Sequence, residues 1–150
     1  MKEQEEIQKL IDRVKNLEKN EQMDLSSGED LSVAIMNLIS IEEHLFFTGS
    51  KTGKQEYFEL LKQIREMRKT LLKRIIKNPD GEVWCISKHL LASSMRVMEV
   101  GTKYLGKGED KEAQKLFKNA YELYNLFWGL NLDLVKFDDI TPDESEEVKY

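Results

Sequence analysis

In 150 residues the chain has one cysteine, Cys85, two prolines, Pro79 and Pro142, and two histidines, His44 and His89. A single cysteine cannot close an internal disulfide, which excludes a disulfide-stapled scaffold. There is no run of eighteen apolar residues, so no membrane span is expected. The first residues, MKEQEEIQKL, carry charges where a signal peptide would be apolar. These absences together give the expectation of a cytoplasmic protein. No stretch alternates apolar and polar residues as a half-buried strand does. C-x-x-C, H-E-x-x-H and G-x-x-x-x-G-K-[ST] are all missing, and with them the common zinc and phosphate-loop chemistries.

What is present is helical. Apolar residues make up 40% and charged residues 34%, the balance of a globular helical domain rather than a disordered chain. The net charge of −5 argues against general nucleic-acid binding. Apolar periodicity near 3.6 predicts an all-α fold, a bundle of five helices at about 2–21, 31–47, 55–77, 82–105 and 111–130. Residues 1–137 form one domain on this reading, and 138–150 an acidic tail. In the first helix Ile7, Leu10, Val14 and Leu17 form a narrow seam with Ile11 beside it. Such a seam packs on its own bundle or on a second copy, so a homodimer through this helix is an alternative. DLSSGED (24–30) reads as a loop with Asp30 capping the next helix, and TGSKTGK (48–54) reads as a break.

From Ser94 to Phe127, Gly101, Tyr104, Ala113, Phe117 and Ala120 fall at the offsets of a tetratricopeptide repeat. The segment resembles one such repeat, with Val97 where the family prefers tryptophan and Asn125 where it prefers proline. The resemblance implies an antiparallel helical hairpin ending the bundle. It also implies binding to a partner protein rather than catalysis. Tyr121, Tyr124 and Trp128 are then candidates for an interaction surface.

Charges on apolar faces mark the other candidates. On the second helix the apolar face is expected around Leu31, Leu38 and Leu45, with Glu42 near its centre, Glu43 at an edge and His44 opposite. On the third, Arg68 lies between Leu61 and Ile75. An ionised group in an apolar interior costs several kcal/mol unless paired. Glu42 and Arg68 therefore form either a structural ion pair or, with Arg96 and Glu99, a polar pocket. Counting outward from the loop between them sets Arg68 a turn or two deeper than Glu42.

Cys85 and His89 are four residues apart and share a helix face, a spacing that can chelate. Zinc would need further ligands, of which Glu43 is one candidate. The reading preferred here is a buried thiol beside a half-exposed histidine, with no cofactor. Cys–His catalysis lacks an oxyanion site, and the R-x(4–6)-H motif of helical-bundle ribonucleases is absent. The solvent side of the third helix carries Lys62, Arg65, Lys69, Lys73 and Lys77, a surface for an acidic protein or for phosphates. The leading expectation is a non-enzymatic interaction or adaptor domain with a protein partner. A helical bundle with a ligand or metal pocket near Glu42, Arg68, Cys85 and His89 comes second, and nucleic-acid binding through the basic helix third.

Overall fold

The computed structural model describes residues 2–20, 25–76 and 81–134, apart from the side chains of 17–20 and 25–26. Lys77 and the acidic tail of 138–150 lie outside the described residues. The described residues form five helices and no strand: α1 (Lys2–Asn20), α2 (Leu25–Thr52), α3 (Gln55–Leu72), α4 (Glu82–Gly106) and α5 (Asp110–Asn131). The all-α class expected from the periodicity is what the structure shows.

The helices pack as two antiparallel hairpins, α2–α3 and α4–α5, with α1 lying along α5 and α2 touching α4. The core sits where the hairpins meet. Val14 of α1, Ile35 and Met36 of α2, Leu72 and Ile76 at the end of α3, Leu91 and Met95 of α4, and Phe127 and Trp128 of α5 form one buried cluster. The α1 seam is used within the chain. Leu10, Ile11 and Val14 are buried, and Gly129 of α5 comes so close that a Cβ there would lie 2.9 Å from Leu10 Cδ1.

Three boundaries differ from expectation. Residues 25–30 are not a loop with Asp30 as cap, because α2 already begins at Leu25, and Asp24 lies outside the described residues. Gly28 stays helical because Trp128 needs its missing side chain, and a Cβ there would lie 3.1 Å from the indole. Nor does α2 end at Phe47. It runs to Thr52, and Gly49 is buried under Phe58, whose ring atom Cε1 is 2.8 Å from where a Cβ would be. The break falls only at Gly53, whose φ of 67° suits a residue without a side chain. Helix α3 stops at Leu72 rather than Lys77. Arg74 and Ile75 then donate to the carbonyls three residues back, a tightened turn that drops Ile76 into the core.

The buried face of α2 is also turned from its expected position. Ser32, Ile35 and Met36 are buried, while Leu31, Leu38 and Leu45 are half-buried. The cause is that α2 has neighbours on two sides, α3 and the α4–α5 hairpin. By length and composition Ser27–Thr52 could cross a membrane. Here its carboxylates Glu42 and Glu43 are instead bound by arginines of two other helices.

Candidate functional site

Consecutive residues on a helix point about 100° apart, so Glu42 and Glu43 reach different neighbours. Glu42 turns to α3. Arg68 donates from Nε to Glu42 Oε2 and from its terminal Nη2 to Oε1, both at 2.9 Å. This two-pronged pair is the arrangement in which guanidinium and carboxylate match best. Arg68 is only 4% exposed. The two residues sit at one level, not a turn or two apart. The count from the loop failed because α2 continues through residues 48–52 before it turns.

Glu43 turns to α4. Arg96 donates to Glu43 Oε2 and to Glu99 Oε2, each at 2.7 Å. The Glu43 hydrogen bond, with the nearby carboxylates of Glu43 and Glu99, raises the Arg96 pKa above its ordinary value against a smaller opposing effect of burial. Both ends of this bridge are more than a third exposed, so water and salt weaken it. The four charges expected around a polar pocket are thus split, Glu42 with Arg68 and Glu99 with Arg96, which also binds Glu43, and their donors and acceptors are turned on one another.

Cys85 is exposed, not a buried thiol, and His89 is exposed as well. Glu43 does not join them. Its partner Arg96 lies two turns beyond His89 on α4, about 10 Å along the axis. Among the described residues no three His, Cys, Asp or Glu side chains converge as metal ligands. On the basic face of α3, Glu66 lies between Arg65, at 3.8 Å, and Lys69, at 3.6 Å. It splits the positive stripe, which leaves Lys62 and Lys73 at its two ends.

The α4–α5 hairpin closes around small residues. A Cβ on Gly101 would lie 2.8 Å from Phe117 Cε1. Ala113 and Ala120 are buried, and Ser94 Oγ donates to the Ala120 carbonyl at 2.8 Å. Of the three aromatic surface candidates only Tyr121 is exposed. Trp128 belongs to the core at 5% exposure, packed edge-on against Phe127. Tyr124 is half-buried. Ser32 gives its one proton to the Glu29 carbonyl at 2.6 Å, so the Tyr124 hydroxyl, 2.8 Å from Ser32 Oγ, is the donor in that contact. Burial raises the Tyr124 pKa, and the carboxylates of Glu29 and Asp30 add to the rise.

This contact forms part of a groove that sequence reasoning did not locate. About 460 Å³ lies between the first half of α2 and the α4–α5 hairpin. Met98, Phe117 and Tyr121 form one wall and Val33 the other, with Glu29 and Asp30 at the rim and no basic residue in the lining. Val33, Met98 and Tyr121 are all substantially exposed. Only Tyr121 and Tyr124 of this set were legible as surface candidates, because the α2 wall depended on residues 25–30 being helical. A second groove of about 470 Å³ between α1 and α5 carries charges of both signs, Glu3, Glu6, Lys9 and Arg13, and no aromatic residue. Comparison with protein-family models, curated proteins and solved structures gives no match.

Proposed function

We propose that this chain is a non-enzymatic interaction module, an adaptor that holds a partner protein's segment in the groove between α2 and the α4–α5 hairpin. The observation that carries this reading is the apolar, aromatic wall of Met98, Phe117 and Tyr121 left open beside an acidic rim. A groove of this chemistry suits an amphipathic helix with a lysine or arginine beside its apolar anchors. Flat aromatic and methionine surfaces adapt to such anchors at low entropic cost. The tetratricopeptide-like spacing of α4–α5 supports the same role. The exposed single thiol of Cys85 suits a reducing, cytoplasmic compartment. The pocket reading around Glu42 and Arg68 draws less support, since each group already satisfies the other. The basic-helix reading is weakened by Glu66.

The test is selection of displayed 16-residue peptides on the wild-type protein. Selected sequences should combine apolar anchors with lysine or arginine. They should bind the Met98→Glu, Tyr121→Ala variant at least tenfold more weakly. Asp30→Lys should reverse the preference for basic residues. Peptides that bind both variants as tightly as wild type would place recognition elsewhere and overturn the reading.

A further inference from the structure

Helix α3 has a second apolar face that the described residues leave open at Leu60 and Met67. Leu61, Arg68 and Leu72 point to one side of the helix, where Arg68 meets Glu42 of α2. About 80° away, Tyr57, Leu60, Ile64, Met67 and Leu71 recur at spacings of 3, 4, 3 and 4. That is the alternation of a helix-pairing seam, and it runs about 21 Å along the axis. Leu60 is 48% exposed and Met67 54%, while Tyr57, Ile64 and Leu71 are half-buried and Leu71 also packs on the core cluster from one side. Among the described residues, Met67 is the most exposed of the large apolar side chains. Large apolar side chains repeated on one face at this spacing mark a surface that binds another helix.

Charge says what that helix is. Glu56 flanks the first seam residue, and Arg74 stands where the next seam residue would follow Leu71. Both are exposed, Arg74 in the turn just past α3, and the helix from Glu56 to Leu72 spans about 24 Å, so they are too far apart to meet within one chain. Parallel pairing of two copies would set Glu56 beside Glu56 and Arg74 beside Arg74. Antiparallel pairing sets Glu56 of each copy beside Arg74 of the other and aligns the helix dipoles favourably. The apolar residues fit the same register. Ile64 meets Met67 of the second copy, Leu60 meets Leu71, and Tyr57 lies against the aliphatic stem of Arg74.

We propose that two copies of this chain pair antiparallel through α3, with the seam Leu60–Ile64–Met67–Leu71 as the interface. The contact is isologous, so one patch serves both copies. With α2 flanking each α3, the dimer centre becomes a four-helix arrangement. The partner groove is lined by α2, α4 and α5 and shares no residue with this seam, so this inference stands independently of the adaptor reading.

Sedimentation equilibrium of the full chain between about 5 and 500 µM tests it. The wild-type mass should rise from 17.6 kDa toward twice that value. Leu60→Glu with Met67→Glu should hold it at the monomer mass, with the far-UV circular dichroism unchanged. Glu56→Arg and Arg74→Glu should each weaken association several-fold. An equimolar mixture of those two charge variants should restore it, because each then meets an opposite charge across the interface. A wild-type chain monomeric at 500 µM overturns the proposal. So does association that survives Leu60→Glu with Met67→Glu, or a mixture of charge variants no tighter than either alone.

Discussion

The two hairpins of this protein are held together by different physics. In α2–α3 the middle of the interface is a buried, two-pronged Arg68–Glu42 pair. In α4–α5 it is an absence of side chain, with Gly101 under Phe117 and Ala120 beside Ser94. An ion pair in a low-dielectric site gains Coulomb energy but loses hydration, so its net worth is small while its loss is costly. Close packing of small residues gains dispersion along the whole helix and tolerates no added volume. The first hairpin is therefore sensitive to removing an atom group, the second to adding one. Between the hairpins lies the shared apolar core of Ile35, Leu72, Leu91 and Phe127, joined at its edge by the Ser32–Tyr124 hydrogen bond and the half-exposed Glu43–Arg96 bridge. The groove proposed for a partner opens at the edge of this boundary, beside Tyr124.

The largest effect should come from breaking the first hairpin at its centre. Arg68→Ala leaves the Glu42 carboxylate buried without its partner, and urea denaturation should show a loss of about 3 kcal/mol. Glu42→Ala should cost a similar amount. The combined Glu42→Leu, Arg68→Met variant should cost clearly less than the sum of the single changes. Single variants within a few tenths of a kcal/mol of wild type would mean that water solvates this pair and that the contrast with the second hairpin fails.

Gly101→Ala tests the second hairpin by the opposite operation. The new methyl group meets Phe117, and overpacking should exceed the gain in helix propensity, for a net loss of about 1–2 kcal/mol. Adding Phe117→Leu should recover part of it. A Gly101→Ala variant more stable than wild type would show that the Phe117 ring swings aside and that the close approach is not needed.

Tyr124→Phe tests the junction and should have the smallest effect, about 1 kcal/mol near neutral pH, since it removes one hydrogen bond to a buried serine. The pH dependence has a definite sign. The folded-state pKa of Tyr124 is raised, so the folded state holds the proton more tightly than the unfolded chain does. The contribution is full below the ordinary phenol value of about 10 and is lost as pH rises through the folded value. The stability gap between wild type and Tyr124→Phe, followed by denaturant titration, should narrow above about pH 10. A gap constant to pH 11 would mean that the hydroxyl is solvated.

How much of the site was legible follows from which residues answer to local rules. Arg68 and Glu42 stood out because charge on an apolar face is costly wherever the neighbour lies. Their pairing could be anticipated, but their common level could not, since it depended on where α2 turned. Gly101 and Ala120 were legible as approach points because the tetratricopeptide-like offsets set small residues between two paired helices. Trp128 was misread as surface and Cys85 as core because a helix wheel gives an angle but not the neighbour that covers it. Of the groove only Tyr121 and Tyr124 were legible, since its walls come from three helices brought together over more than ninety residues of chain.

The sequence by itself determined the helical class, the α4–α5 hairpin's small-residue contacts and the two arginines that would need partners. Those follow from period, volume and charge, which are properties of single segments. Tertiary structure alone decided the length of α2. Gly28 and Gly49 read locally as helix breakers, because glycine costs about 1 kcal/mol in a helix. Each instead receives an aromatic ring on its bare backbone, Trp128 on one and Phe58 on the other. Burying a ring against another helix recovers more than that cost. Only the fold brings the ring, so only the fold could turn two apparent ends into the inside of one helix.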